Sequence, residues 1–99
     1  MVDIAATLEE RGSRYGDFTE HARISAELRD VVCRPLRDRG YTSSDNLPPF
    51  VVEGIFMICH KLARVANGDP LYADNFVDIA GYAKLVADRL AARTASVEE

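Results

Sequence analysis

A chain of 99 residues, 47% of them hydrophobic, is long enough for one domain with one modest core. Its 16 acidic and 12 basic residues give a net charge of −4, which argues against a general nucleic-acid-binding surface. No apolar run approaches the roughly 20 residues that cross a bilayer, and the N-terminus does not resemble a signal peptide. Two cysteines, Cys33 and Cys59, lack CxxC spacing, so we expect a reduced, cytoplasmic protein.

Two helices are predicted in the first half of the chain. Residues 3–11 form a short amphipathic helix, which the following Gly-Ser pair should end. A longer helix is expected over about 18–38, because Asp17 is a suitable N-cap with a glutamate three residues later. Pro35 should bend or end it. The residues expected to be buried on this helix are Phe18, His21, Ile24, Leu28, Val31 and Val32.

Two further helices follow a turn-rich loop over residues 39–49. The third helix should run from its initial prolines to about residue 66, with Asn46 as a candidate N-cap. It should end at an Asn-Gly pair, since either residue can take the left-handed conformation there. The last helix is expected over about 72–92, and residues 93–99 should form a frayed polar tail.

Residues 1–99 are therefore predicted to form a single all-α domain. We expect a small helical bundle of three main helices plus a short N-terminal helix, because no strand-like alternation or internal repeat is visible. Three helices of this size bury little surface, and the third and fourth both offer extra apolar area. A homo-oligomer with a helical interface is therefore predicted.

The most informative stretch is the third helix and the start of the fourth. A charged seam is predicted on the mostly apolar third helix, formed by Glu53, Met57, His60, Lys61 and Arg64. On the fourth helix, Asp74 and Asp78 project together, since they are i,i+4 neighbours. Helices joined by a short turn pack antiparallel, so we predict that the two acids face Glu53 and Arg64 in one cluster, within the chain or across a subunit boundary.

Two interpretations of the acids are open. Glu53, Asp74 and Asp78 can hold Mg²⁺, because hard cations prefer carboxylate oxygens and take one or two of them together with substrate phosphate. The same acids also suit a helix dipole and a solvated helix face.

The basic and aromatic residues carry a second set of alternatives. Lys61 and Arg64 can hold a phosphate, or they can form salt bridges with the acids. His60 is a candidate metal ligand or proton shuttle, whereas His21, inside an apolar stripe, is expected to be a core histidine. Tyr15 and Tyr82 can stack on a base or a ribose, or pack at the edge of the core. The sequence contains no phosphate-binding glycine-rich motif.

The segment His-Lys-Leu-Ala-Arg, followed by Asp-Asn-Phe-Val-Asp-Ile-Ala-Gly-Tyr-Ala, resembles a family of small phage and prophage proteins. An upstream Arg-x-x-x-Tyr-Gly segment, residues 11–16, fits the same pattern. The family is related to nucleotide-modification-associated domains and, more distantly, to MazG-like all-α nucleotide pyrophosphohydrolases. The paired glutamates of those enzymes are missing here, where only Glu53 stands.

The resemblance implies a phage-encoded protein that binds or processes nucleotides in the cytoplasm of the host cell. One reading is Mg²⁺-dependent hydrolysis of a nucleoside triphosphate, with Glu53 and Asp78 as catalytic residues and Asp74 as a further metal ligand. An alternative is a non-catalytic protein that sequesters a nucleotide or a cyclic nucleotide defence signal, using Lys61 and Arg64 with the aromatic residues. A third is a helical module that binds another protein.

Overall fold

The computed structural model describes residues 3–98, and this part of the chain contains four helices and no strand. The helices are α1 (Ile4–Tyr15), α2 (Phe18–Asp38), α3 (Pro49–Asn67) and α4 (Ala73–Glu98). The predicted all-α fold is confirmed. Among these four helices, none combines the length and apolar character needed to cross a bilayer.

Helix α3 is the centre of the fold. It packs against α4 on one side and α2 on the other, while α2 and α4 do not approach each other. The close approach of α4 requires Gly54, since a Cβ at this position would lie 2.3 Å from Val86 Cγ2. The result is elongated, 53 × 28 × 27 Å, with a radius of gyration of 16.4 Å. A compact domain of this length has a radius of gyration of about 13 Å.

The helix ends and caps differ from the predictions in several places. Helix α1 does not stop at residue 11 but continues to Tyr15, where Gly16 leaves the helix with φ 80°. Pro35 lies within α2 and does not end it. Asn46 does not cap α3; its side chain donates to the carbonyl of Gly40 at 2.8 Å.

Gly68 ends α3 with φ −124°, outside the left-handed region that we expected. Helix α4 continues to Glu98, through residues predicted to fray. Its last third is connected to the loop before α3, because Arg93 donates to the carbonyl of Asp45 at 2.9 Å. The predicted bounds of α2 and its N-cap are confirmed: the Asp17 carboxylate accepts from the Glu20 amide at 2.9 Å.

Very little of the apolar surface is buried. Cys59 and Ala63 are the only hydrophobic side chains among the described residues that are buried. The predicted burial on α2 is confirmed for His21 but is wrong for Phe18 and Val31, which are 81% and 70% exposed in a single chain. Because α2 packs on α3 but has no second main helix beside it, it buries only His21 and Ser25.

Candidate functional site

The junction between α1 and α2 is bound tightly to the end of α3. The side-chain amide of Asn67 donates to the carbonyls of Tyr15, at 3.0 Å, and Asp17, at 2.9 Å. A Cβ at Gly16 would lie 2.1 Å from the Asn67 carbonyl oxygen, so this approach requires glycine. Positive φ at Gly16 points to the same residue type.

The residues after α3 make a second connection to α1. The Asp69 amide donates to the Arg14 carbonyl at 2.7 Å. The preceding residue, Gly68, lies against the same turn of α1. A Cβ at this position would lie 2.0 Å from the Arg14 carbonyl oxygen and 2.5 Å from the Tyr15 Cα. These contacts fix the C-terminal turns of α1 and α3 against each other, which places their side chains around one cavity.

The cavity has a volume of about 510 Å³ and opens to solvent between α1, α2 and α3. Its lining contains two arginines, two histidines and one aspartate, whereas the larger groove beside the 39–49 loop contains one arginine, one glutamate and no histidine. The side chains that line the cavity are Leu8, Arg11, Tyr15, Asp17, Phe18, His21, His60 and Arg64.

Positive charge in this cavity is not neutralised by acids. Among the described residues, neither Arg11 nor Arg64 has a carboxylate within salt-bridge distance. Asp17 is the one acid in the lining, and its carboxylate caps α2. In a chain of net charge −4, two unpaired arginines beside two histidines are an anion-binding arrangement.

An aromatic group lies beside these charges. The Arg64 guanidinium carbon is 4.0 Å from the centre of the Tyr15 ring, a cation–π contact. Tyr72 meets the Tyr15 ring edge-on at a centroid separation of 6.2 Å, and Arg14 lies 4.5 Å over Tyr72. A shallow groove next to the cavity shares Arg11, Tyr15 and Arg64 with it.

The two histidines contact each other across α2 and α3. His21 Nε2 and His60 Nδ1 are 3.2 Å apart, with the rings nearly perpendicular. Burial, and then the charge of Arg64, lowers the pKa of His60 to about 4. The same two causes lower the pKa of His21.

The predicted acidic cluster does not form within one chain. Lys61, although buried, pairs with Asp78 at 2.9 Å, while Asp74 accepts a hydrogen bond from the Tyr72 hydroxyl. Glu53 is exposed and lies two turns before Lys61, a rise of roughly 12 Å. Arg64 contacts Tyr15 and none of these acids.

Glu53, Asp74 and Asp78 therefore do not converge on a magnesium site within one chain. Across residues 3–98, no group of three or more histidine, cysteine or acidic side chains lies close enough together to hold a metal ion. Lys61 is paired with Asp78 and is not among the residues that line the cavity.

Tyr82 lies away from Tyr15. It lines a small groove between α3 and α4 with Phe50, Glu53 and Arg89. Of the residues predicted to contact a ligand, the fold thus brings together Tyr15, His60 and Arg64.

No family model, curated protein or solved structure matches this chain. The resemblance noted from the sequence therefore stays a prediction, and the function must be argued from the cavity itself.

Sequence reasoning did not identify every residue of the cavity. Arg11 of the cavity and Tyr72 of the neighbouring groove were not singled out, because nothing in helical periodicity shows that the end of α1 meets the end of α3 and the start of α4. His21 is buried as predicted, but its partner is the candidate residue His60. The Arg-x-x-x-Tyr-Gly segment was the available signal, since it places Arg11 one turn before Tyr15.

Proposed function

We propose that this protein binds a nucleotide in the cavity between α1, α2 and α3, and that it does so without hydrolysing it. The observation that carries the proposal is the pair of arginines, Arg11 and Arg64, which line one cavity and have no carboxylate within salt-bridge distance in the part of the chain that the structure describes. Guanidinium groups bind phosphate oxygens through two parallel hydrogen bonds, so a phosphate is a suitable partner for both.

The cavity also suits the other half of a nucleotide. Its volume of about 510 Å³ falls in the usual range for small-molecule sites. Tyr15 offers an aromatic ring whose orientation is set by Arg64 and Tyr72, and such a ring can contact a base or a ribose. The resemblance to nucleotide-handling phage proteins supports the choice of a nucleotide over other phosphorylated ligands.

Binding is favoured over hydrolysis by the positions of the acids. Metal-assisted phosphoryl transfer needs carboxylates that converge on an ion at the reacting phosphate. Here Asp78 is paired with Lys61, and Glu53 lies roughly two helical turns away from that pair. A protein with this arrangement is suited to sequester a nucleotide, including a cyclic nucleotide used as a defence signal.

Self-association is part of the proposal. Only two hydrophobic side chains are buried among the described residues. Each helix therefore exposes large apolar side chains to solvent, among them Leu8, Val31, Leu62 and Phe76. Burial of apolar surface provides the main driving force for folding. A second copy that covers part of this surface would supply what one chain lacks.

The direct test is calorimetric binding of linear and cyclic nucleotides to the wild-type protein and two variants. We expect Arg64→Ala to weaken binding about tenfold to a hundredfold, because a charged hydrogen bond contributes roughly 1.5–3 kcal/mol. Arg34→Ala is the matched control, since Arg34 pairs with Asp30 on the exposed face of α2. An equal loss of nucleotide affinity in Arg64→Ala and Arg34→Ala, or no nucleotide binding by the wild-type protein, would contradict the proposal.

A second measurement separates binding from catalysis. Pyrophosphate release from nucleoside triphosphates is followed with Mg²⁺ present and after its removal by a chelator. We expect binding to persist without Mg²⁺ and no release in either condition. Release that requires Mg²⁺ and disappears in Asp78→Asn would show an enzyme instead.

A further inference from the structure

The His21–His60 pair contains a nitrogen that the chain itself leaves unsatisfied. His21 is 7% exposed, and its Nδ1 is buried without a hydrogen-bond partner among the residues that the structure describes. At the other end of the pair, His60 lines the cavity, and its Nε2 makes no hydrogen bond with any of the same residues. The pair therefore connects a buried nitrogen of α2 to a histidine of the cavity wall.

The protons of the neutral pair can be assigned from this arrangement. Each neutral imidazole has one N–H, so one ring donates the central bond and the other accepts it. If His60 donated, the proton of His21 would lie on the buried Nδ1 with no acceptor, which is the rarer kind of unsatisfied group. His21 therefore donates from Nε2, and the proton of His60 lies on Nε2, in the cavity wall.

The pair has room for one more proton. A third proton leaves the central N–H···N bond intact but places an N–H on the buried His21 Nδ1, which is one reason why the free protein does not hold it. A fourth proton would place two N–H groups against each other across 3.2 Å and break that bond. A single positive charge is thus the most that the pair can hold in this geometry.

The charges around the pair oppose this proton in the free protein. Helix α1 contributes Arg11, helix α2 contributes Arg29, and helix α3 contributes Arg64. Lys61 of α3 also acts on His60, although Asp78 of α4 partly neutralises it. The remaining acid, Asp17, caps α2. The same surplus of positive charge disfavours a metal cation at these two nitrogens.

An anion between Arg11 and Arg64 reverses this balance. We propose that the His21–His60 pair takes up one proton when the cavity binds its phosphate-bearing ligand, so that ligand affinity is coupled to pH. This inference rests on the proposed function. The protonated pair offers the His60 Nε2–H as a charged donor, a stronger hydrogen-bond donor than a neutral imidazole.

The sign of the coupling follows from linkage. The pair has a lower pKa in the free protein than in the ligand-bound protein. At a pH between these two values, the bound protein holds one proton more than the free protein, so lower pH favours the bound form. Affinity should increase as pH falls through the bound-state pKa, by up to about tenfold per pH unit. It should level off below the free-state value.

The test uses 3′,5′-cyclic GMP together with the linear and cyclic nucleotides of the binding panel, at about pH 5.5 to about pH 7.5. The cyclic phosphodiester does not titrate in this interval, so a pH effect on its affinity comes from the protein. Calorimetry in two buffers of different ionisation enthalpy counts the protons taken up. We expect close to one proton per ligand at the acidic end, and a steeper pH dependence than in His60→Gln, whose amide cannot titrate.

A second readout avoids the substitution. The chain has two histidines, so every histidine NMR titration belongs to this pair. We expect sulfate, a non-titrating anion, to raise the pKa of one of the two rings. Binding without proton uptake, or ring pKa values unmoved by an anion, would overturn this inference and leave the proposed function standing. No binding by any nucleotide of the panel at any pH would overturn both.

Discussion

The side-chain amide of Asn67, in the last turn of α3, donates a hydrogen bond of 3.0 Å to the main-chain carbonyl of Tyr15, in the last turn of α1. This bond joins residues 52 positions apart in the sequence. It holds the Tyr15 ring on the side of α3 that carries Arg64, and it depends on glycines at positions 16 and 68 that let the two chain segments touch.

Gly68→Ala should disrupt this contact. The added Cβ would lie 2.0 Å from the Arg14 carbonyl oxygen, which is main chain and has little freedom to move. We expect the free energy of unfolding to fall by about 1–3 kcal/mol, as for other overpacked sites, and nucleotide binding to weaken. Urea denaturation and calorimetry measure the two effects.

Gly81→Ala is the control for that substitution. Gly81 lies inside α4, and a Cβ there would have no atom within 4 Å. Alanine should therefore stabilise the protein by about 0.5–1 kcal/mol. Equal stability of the two variants would show that α1 does not pack against Gly68.

The buried Lys61 predicts that a single variant will be less stable than the corresponding double variant. Asp78→Asn leaves the ammonium of Lys61, 10% exposed, without its carboxylate and should lower the free energy of unfolding by about 1–3 kcal/mol. Adding Lys61→Met to Asp78→Asn should recover most of that loss, because no charge then stays buried. Thermal denaturation of the single and double variants checks this, and a double variant less stable than Asp78→Asn would contradict it.

The histidine pair predicts acid sensitivity of the ligand-free protein. Burial and Arg64 lower the pKa of His60 to about 4, below its value in the unfolded chain. The unfolded state therefore binds more protons, and stability, complete above about pH 6.5, is lost as pH falls toward 4. We expect a loss of roughly 1–2 kcal/mol, less than the full shift implies, because solvent still reaches the ring.

Urea denaturation at several pH values measures this loss, with His60→Gln as the comparison. The variant should show a shallower dependence on pH over the same interval. Parallel curves for both proteins would mean that the acid sensitivity comes from other groups.

The exposed apolar surface predicts self-association. Phe18, Val77 and Leu71 are 81%, 65% and 89% exposed, while only two hydrophobic side chains of the described residues are buried. Light scattering across a range of concentrations should give a mass above that of one 11.0 kDa chain. A mass that stays at one chain at the highest concentration would rule this prediction out.

The sequence was sufficient to predict the positions of the main helices, but not which side chains the fold brings together in the site. Periodicity located α2 and α3 within a residue or two, since their caps and initial prolines are local signals. It also identified Arg64 and His60 as neighbours on one face. Glu53 and Asp78 do not form the predicted cluster within one chain, because two turns of helix separate Glu53 from the place where Asp78 docks.

What periodicity could not supply was the position of α1. Its C-terminal turn is placed by Asn67, Gly68 and Asp69, through contacts with main-chain atoms that leave no pattern in side-chain hydropathy. Tyr15 and Arg11 enter the site only through these contacts. The burial predicted for α2 failed for a related reason, since hydrophobic spacing shows which face is apolar but not whether the same chain covers it.

Helix α1 has few side chains inside the fold, and its residues 4–12 are exposed except for Thr7. It is therefore attached mainly through its last turn, and its amide hydrogens should exchange with solvent faster than those of α3. A ligand that joins Arg11 of α1 to Arg64 of α3 would connect the least anchored helix to the central one. Slower hydrogen exchange along α1 would then report that the cavity is occupied, whatever nucleotide fills it.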